Sequence, residues 1–326
     1  MELPRRQFLY LAAAAAALPA MPRAARAQTY PSRPVHIVVP FAPGGPPDLI
    51  ARLVAQNLTE RLGQQFVVEN LPGAGGNRGT ATVERAPADG YTLLAISTGF
   101  FVNPSLYAKV EYDPIKGFAP ISLVATSPNV VMVHPSVPAN TLKQLVELVK
   151  ANPGKYSYAH PSTGSTSHLS GELLKLRFGL DLVTVPFNGG PPAIASTIGG
   201  HTPIAIIALP AALAHVREGT VRALAVTSAR RVSSLPEVPT MAEAGAVDQE
   251  AETLNGLLAP AGTPRDIVDR LYGEIAKIMT MPDVAERLNT MGFAPIFTTP
   301  VQFSARIDAE ISKWEKVIRE AKIRID

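Results

Sequence analysis

Two short stretches carry the groups from which chemistry could be built. Pro40-Phe41-Ala42-Pro43-Gly44-Gly45-Pro46-Pro47 and Pro186-Phe187-Asn188-Gly189-Gly190-Pro191-Pro192 share one order: aromatic, paired glycine, paired proline. Each follows a β-branched run and precedes a helical pattern. The glycines permit a tight turn with exposed backbone, and proline at the first helical position loses no hydrogen bond. A helix start so placed presents unpaired N–H groups and a partial positive charge. The chemistry on offer is recognition of an anionic oxygen without a basic side chain. Ligands of open α/β sheets bind at these carboxyl ends of strands, so two such loops suggest two walls of one cleft.

Catalytic chemistry has less support. Ser165, Ser167 and His168 invite a hydrolase reading, but the chain has no Gly-x-Ser-x-Gly elbow, and sequence neighbours are not thereby a catalytic pair. No Walker loop occurs, and Gly73-Ala74-Gly75-Gly76-Asn77-Arg78 has Arg where a dinucleotide fingerprint needs its third Gly. The six histidines lack His-Glu-x-x-His spacing and cysteine is absent, so no metal, cofactor, disulfide or thiol chemistry is expected.

The elements that must position these loops alternate. Val35 to Val39, Phe66 to Val68, Tyr91 to Ile96 and Val130 to Val133 read as strands, as do Tyr156 to Ala159, Leu182 to Val185, Pro203 to Ala208 and Ala223 to Val226. A helix begins near Asp48, with Leu49, Ile50, Leu53, Val54, Leu58 and Leu62 at helical spacing before Gly63. Thr141 caps another, and Asn152-Pro153-Gly154 ends it. Further helices are predicted near Ser167 to Phe178, Pro192 to Ile198, Pro264 to Met279 and Pro300 to Lys322. The alternation predicts parallel sheets covered on both faces.

The amino-terminal end predicts export. Arg5 and Arg6, an apolar run from Leu9 to Leu18, and Ala25-Arg26-Ala27 form the three parts of a cleavable signal peptide over residues 1–27. The run is shorter than the roughly 20 apolar residues of a membrane span. Arg5-Arg6 before Phe8-Leu9 resembles a twin-arginine signal, with Sec export as the alternative. Without its four arginines and one glutamate, the 30 basic and 27 acidic side chains become 26 of each. A neutral mature chain has no excess charge to draw nucleic acid. Its length suits two domains and a core that holds without disulfides.

Taken in order, several stretches resemble the periplasmic substrate-binding proteins of tripartite tricarboxylate transporters, the Bug receptors. They are Tyr30 to Pro34, Pro40 to Asp48, Pro72 to Asn77, Ala88 to Leu94, Gly164-Ser165 with His168-Leu169, Leu235 to Gly245, and Gly256 to Pro264. The resemblance implies a two-lobed α/β flytrap, each lobe a mostly parallel sheet flanked by helices. Residues 28–127 with 255–326 would form one lobe and 128–254 the other. It implies a periplasmic, monomeric receptor, not an enzyme, that grips a small organic acid mainly through main-chain N–H groups and delivers it to membrane permease subunits. Residue by residue, it puts Phe41, Gly44, Gly45, Pro46 and Asp48, with Ser97, Thr98 and Gly99, on the first wall. Ser162, Thr163, Gly164, Ser165 and His168 fall on the second, facing Phe187, Asn188, Gly189, Gly190 and Pro191.

Several roles stay open at this stage. Phe41 and Phe187 either cover an apolar part of the ligand or pack in the core. Asp48 either stabilises its helix start or reads an amine or hydroxyl. His168 is either structural or a ligand contact. The family usually carries an acidic residue where Ala208 stands, and an aromatic, often Trp, before the Gly256-Leu257-Leu258-Ala259-Pro260 segment. Here Thr253-Leu254-Asn255 precedes it and the single Trp is Trp314. Both departures favour a plain organic or aromatic acid over an amino acid. Two other functions fit the pattern: an exported α/β enzyme such as a hydrolase, and a ligand sensor for a membrane kinase.

Overall fold

A computed structural model describes residues 30–324, so the expected signal peptide lies outside the described residues. The chain divides into Met1–Ser32 and Arg33–Asp326, and every element below belongs to the second unit. β1 (Val35–Val39), four buried β-branched residues with a half-exposed His36, lies between two parallel neighbours, β2 (Phe66–Asn70) and β3 (Thr92–Ile96). Helix α1 (Pro46–Leu62) links β1 to β2 and stops at Gly63, whose left-handed backbone returns its N–H to Thr59 O. Helix α2 (Asn77–Glu84) leads to β3, and α3 (Gly99–Leu106) follows it.

The long strand β4 (Phe118–Val133) joins two halves of the hydrogen-bonded path. From Phe118 to Pro128 it pairs antiparallel with β9 (Glu252–Pro260), which also pairs with β3. From Asn129 to Val133 it pairs antiparallel with β7 (Ile204–Ala208) and β8 (Arg222–Val226). Pro128 has no N–H to give the ladder and sits where the partners change. The parallel set of the second half is β6 (Val183–Pro186), β5 (Ser157–His160) and β7. A two-residue strand, β10 (Ala294–Pro295), pairs with β4 at Ala125 and Thr126.

Helices α4 (Leu142–Ala151) and α5 (Thr166–Phe178) cover one face of the second half, and α6 (Gly190–Ile198) and α7 (Leu209–Arg217) the other. The strand alternation is direct: Val131 and Val133 join the first core, Val130 and Met132 the second. Helices α8 (Arg265–Met279), α9 (Pro282–Thr290) and α10 (Pro300–Glu320) return to the first half. Trp314 of α10 is fully buried there with Phe101 and Phe303, and its indole N–H donates to Glu310 at 2.8 Å.

Four helices and two strands have no counterpart in the sequence-based assignment. They are α2, α3, α7, α9, β9 and β10, together with the first twelve residues of β4. Helix α3 is buried on most sides and contains Pro104, so it shows no polar stripe from which a helical period could be read. In β4, Pro120, Ser122, Thr126, Ser127 and Pro128 interrupt the apolar run, and the register shifts twice between Pro120 and Ala125. Among the described residues, no helix is long and apolar enough to cross a membrane.

Candidate functional site

The two Gly-Gly loops each open a helix but are offset by one residue: Gly45, the second glycine, caps α1, and Gly189, the first, caps α6. Gly44 and Gly189, the first glycine of each pair, both have left-handed backbones, with φ of +85° and +109°. Nothing crowds Gly44 within 4 Å, so the glycine is needed for its dihedral rather than for space. Each spends its N–H inside the protein: Gly44 donates to Asp48 Oδ2 at 2.9 Å, Gly189 to Pro161 O at 2.8 Å. The second glycines, Gly45 and Gly190, are half-buried at the starts of α1 and α6, and their N–H groups have no acceptor among the described residues. Two prolines follow in each loop and have no N–H. Each helix start therefore offers an anion one glycine N–H, not the usual set.

Asp48 is 2% exposed and holds the first loop together. Its Oδ2 accepts from Gly44 N and from Arg52 Nε at 3.0 Å, and its Oδ1 from Asn70 Nδ2 at 2.9 Å. Burial alone would raise its pKa, but the hydrogen bonds from Arg52, Gly44 and Asn70 outweigh that and hold it below the ordinary carboxylate value. Asn70 also donates to Phe41 O at 3.1 Å. The Phe41 ring lies over Gly76 and Gly99; a methyl at Gly99 would meet it at 3.4 Å. Asn103 of α3 closes the group by donating to Gly75 O at 3.0 Å. Phe41, the Gly44-Gly45 turn and Gly99 are thus one packed surface. Thr98 is buried at the start of α3, and its hydroxyl is unpaired.

The opposite surface is built on the end of β5. His160 O accepts from Phe187 N at 2.9 Å, next to the Gly189–Pro161 bond. His160 Nδ1 donates to Ser162 O at 3.0 Å. Ser165 caps α5 by accepting from His168 N, and its hydroxyl donates to Ser162 O at 2.7 Å. His168 Nδ1 accepts from Gly164 N at 3.1 Å, which puts its ring proton on Nε2, 3.8 Å from Glu172 Oε1. The two imidazoles stack with centroids 4.5 Å apart. Burial pushes His168 down to about 4, against the attraction of Glu172, and His160 down to about 3. Both rings are neutral at physiological pH. Glu172 is satisfied by Tyr158, Lys175 and Thr184 at 2.9–3.0 Å. Gly190 approaches Ile207 and Ala211, placing it beside half-buried Ala208, which starts α7.

Neither serine beside His168 bonds to an imidazole nitrogen: Ser167 Oγ donates to Asn129 Oδ1 at 2.8 Å. Ser162, Asn188 and Pro191 are exposed, while Ser97, Thr163 and Phe187 are half-buried. The two surfaces meet at Gly164, whose Cα faces Leu106 and Val102 of α3. They meet again where Thr166 and Thr253 share a hydrogen bond of 2.6 Å. Sequence reasoning missed Asn103, Leu106, His160, Thr166 and Thr253. Only His160 had a local signal, being a polar residue at the end of a strand that precedes a candidate loop.

Residues 50–323 match the family described as tripartite tricarboxylate transporter family receptor, and the chain belongs to it. BugT of Bordetella pertussis is 37% identical over 301 residues, covering 92% of each chain. A solved structure of R. palustris Rpa4515 with adipate superposes with a TM-score of 0.86 at 35% identity, covering 91% of this chain and all of that one. MatC from Rhodopseudomonas palustris with bound malate gives 0.81 at 33% identity, over 89% of this chain and all of that one. The fold is the two-lobed α/β fold of periplasmic binding proteins, and the chain is a periplasmic solute receptor of that family.

Proposed function

We propose that the chain captures a small carboxylate-bearing organic molecule between two lobes, residues 28–127 with 255–326 and residues 128–254, and presents it to the permease subunits of a tripartite tricarboxylate-type transporter. The observation that carries this reading is that each Gly-Gly loop leaves its second glycine N–H for an anionic oxygen at the carboxyl end of a strand. The lobe boundaries are supported by the change of partners on β4 at Pro128 and Asn129 and by the start of β9 at Glu252. Relatives that hold adipate and malate support the carboxylate class.

Residues 1–27 serve as the export signal, and the mature protein acts as a monomer. It is a receptor and not an enzyme: Ser165, Ser167 and His168 are spent on the loop and on Asn129 rather than on one another. Ala208 removes the acidic partner that an amino group would want, which favours a plain organic or aromatic acid over an amino acid. The test is a thermal-shift screen of residues 28–326 against mono-, di- and tricarboxylates, aromatic acids, amides and amino acids. A ligand at 100 times its Kd adds about 2.7 kcal/mol, which raises Tm by a few degrees. A hit confined to amides or other neutral compounds would refute the carboxylate assignment.

A further inference from the structure

One hydrogen bond of the second wall depends on a side chain that can change its protonation. The Ser162–Ser165 turn is tied at its first residue: Ser162 O accepts from Ser165 N at 3.2 Å, from Ser165 Oγ at 2.7 Å and from His160 Nδ1 at 3.0 Å. Gly164 is held differently. Its N–H donates to His168 Nδ1 at 3.1 Å and to no other acceptor among the described residues. Gly164 is also where the turn meets α3, since its Cα faces Leu106 and Val102. On the proposed boundaries those two residues belong to the other lobe. The segment before the turn reaches the second Gly-Gly loop, through Phe187 N to His160 O and Gly189 N to Pro161 O. His168 therefore holds the point at which this wall touches the opposite half.

An imidazole does this only while Nδ1 is bare. A proton there would set two donors face to face, and the bond to Gly164 would be lost. Nε2 lies 3.8 Å from Glu172 Oε1, which draws a proton to the ring, while Lys175, bonded to the same oxygen at 3.0 Å, opposes it. Tyr158 and Thr184 donate to that oxygen as well. His160 stacks on the ring at 4.5 Å, and its own Nε2 is buried without a partner. A proton taken up by the pair therefore settles on His168, the ring beside a carboxylate. From α3 the turn is faced by Leu106 and Val102, which add no charge.

We propose that His168 is a positioning residue for ligand capture: with Nδ1 unprotonated it holds Gly164 against α3, and a proton on that atom frees the turn and weakens ligand binding. The proposal rests on the receptor reading above and adds the regulation of that site by pH. Burial lowers His168 from an ordinary 6.5 to about 4, and the sign agrees. Folding favours the neutral ring, so the hold is complete above 6.5 and drains away as pH falls toward about 4.

The test compares wild type, His168→Asn and His168→Leu, each as residues 28–326, with malate, succinate and adipate as probes. Asparagine offers an acceptor oxygen near the place of Nδ1 and does not titrate; leucine offers none. Calorimetric Kd values are taken at pH 7.5 and pH 5, where protonation of the acid itself is common to all three proteins. Wild type should weaken about 3- to 30-fold more than His168→Asn across that interval, the upper figure being a ring that returns to 6.5 once the turn lets go. At pH 7.5 His168→Leu should bind weakest, and His168→Asn should recover part of the loss. The Gly164 amide gives a readout without ligand: its hydrogen-exchange protection should fall from pH 7.5 to pH 5 in wild type and hold in His168→Asn. Equal pH dependence of Kd in wild type and His168→Asn would overturn the proposal. So would a His168→Asn that binds as weakly as His168→Leu, which is the behaviour of a ligand contact or of core packing. If His168→Leu does not fold, the comparison of wild type with His168→Asn decides alone. Silence from all three acids would sink the receptor reading instead, and a Gly164 amide indifferent to pH would sink the positioning role with or without ligand.

Discussion

Gly164→Ala separates two costs that usually arrive together. Gly164 has φ of +80°, so an alanine there carries a left-handed penalty of about 1–2 kcal/mol whether or not a ligand is bound. The new methyl would also overlap Leu106 Cδ2 of α3, which lies in the other lobe on the proposed boundaries. Relieving such an overlap costs about 1–3 kcal/mol. That second cost falls only on the form in which the Gly164 loop and α3 touch. If ligand binding requires that contact, Gly164→Ala weakens affinity about 5- to 150-fold while the unliganded protein loses only the backbone penalty.

The assay is a double-mutant cycle with Leu106→Ala, which removes the atom that would be struck. Kd comes from titration calorimetry and stability from urea unfolding of the unliganded proteins. In the Leu106→Ala background, Gly164→Ala should cost little or no affinity, and the coupling should match the collision. Leu106 is 2% exposed, so its truncation destabilises by itself, about 2–5 kcal/mol, and only the difference between backgrounds is read. The reasoning fails if Gly164→Ala weakens binding equally in both backgrounds. It fails also if the single variant binds as the parent does, because the contact would then play no part in the bound form.

Three further outcomes follow from the same geometry. The low values of His168 and His160 mean that folding favours their neutral forms, so their contribution is complete above the ordinary value of 6.5 and drains away as pH falls toward about 4 for His168. Wild-type protein should lose about 1–3 kcal/mol more than His168→Gln between pH 7 and 4.5 in denaturant titrations, and parallel losses would refute the assignment. Asp48→Ala strands the Gly44 N–H and the Asn70 amide and should cost about 2–3 kcal/mol in urea unfolding, with ligand preference unchanged. A change of preference without loss of stability would instead make Asp48 a ligand contact. Ala208→Asp restores an acid at the start of α7, where the helix dipole tolerates it. It should create measurable binding of amino acids in the thermal-shift screen, and no gain would place Ala208 outside the site.

What could be read from the sequence was what is decided within a few residues. The cap at Thr141, the stop at Gly63 and the two Gly-Gly turns each follow from local chemistry, and their structures agree with it. Even there the sequence reading was too generous. It read several unpaired N–H groups at each helix start, although paired prolines leave one glycine N–H in each. Asp48 and His168 had two readings because sequence does not say which way a side chain turns. The structure turns Asp48 onto Gly44, Arg52 and Asn70, and His168 onto Gly164 and Glu172.

The illegible part is the stretch where β4 and β9 pair, for a physical reason. Strand β9 and the first eleven residues of β4 gain their partners across more than a hundred residues, and hydroxyls and prolines interrupt their apolar pattern. A polar residue in such a strand lowers the local β signal because it serves something other than the core. Ser127 and Asn255 are fully buried, yet neither would be chosen as a core residue by type. The same two residues blurred the strand and hold unpaired atoms in the folded protein. Local reading fails where a fold places polar groups against its own packing rules, because residue type there reflects something other than the strand it sits in.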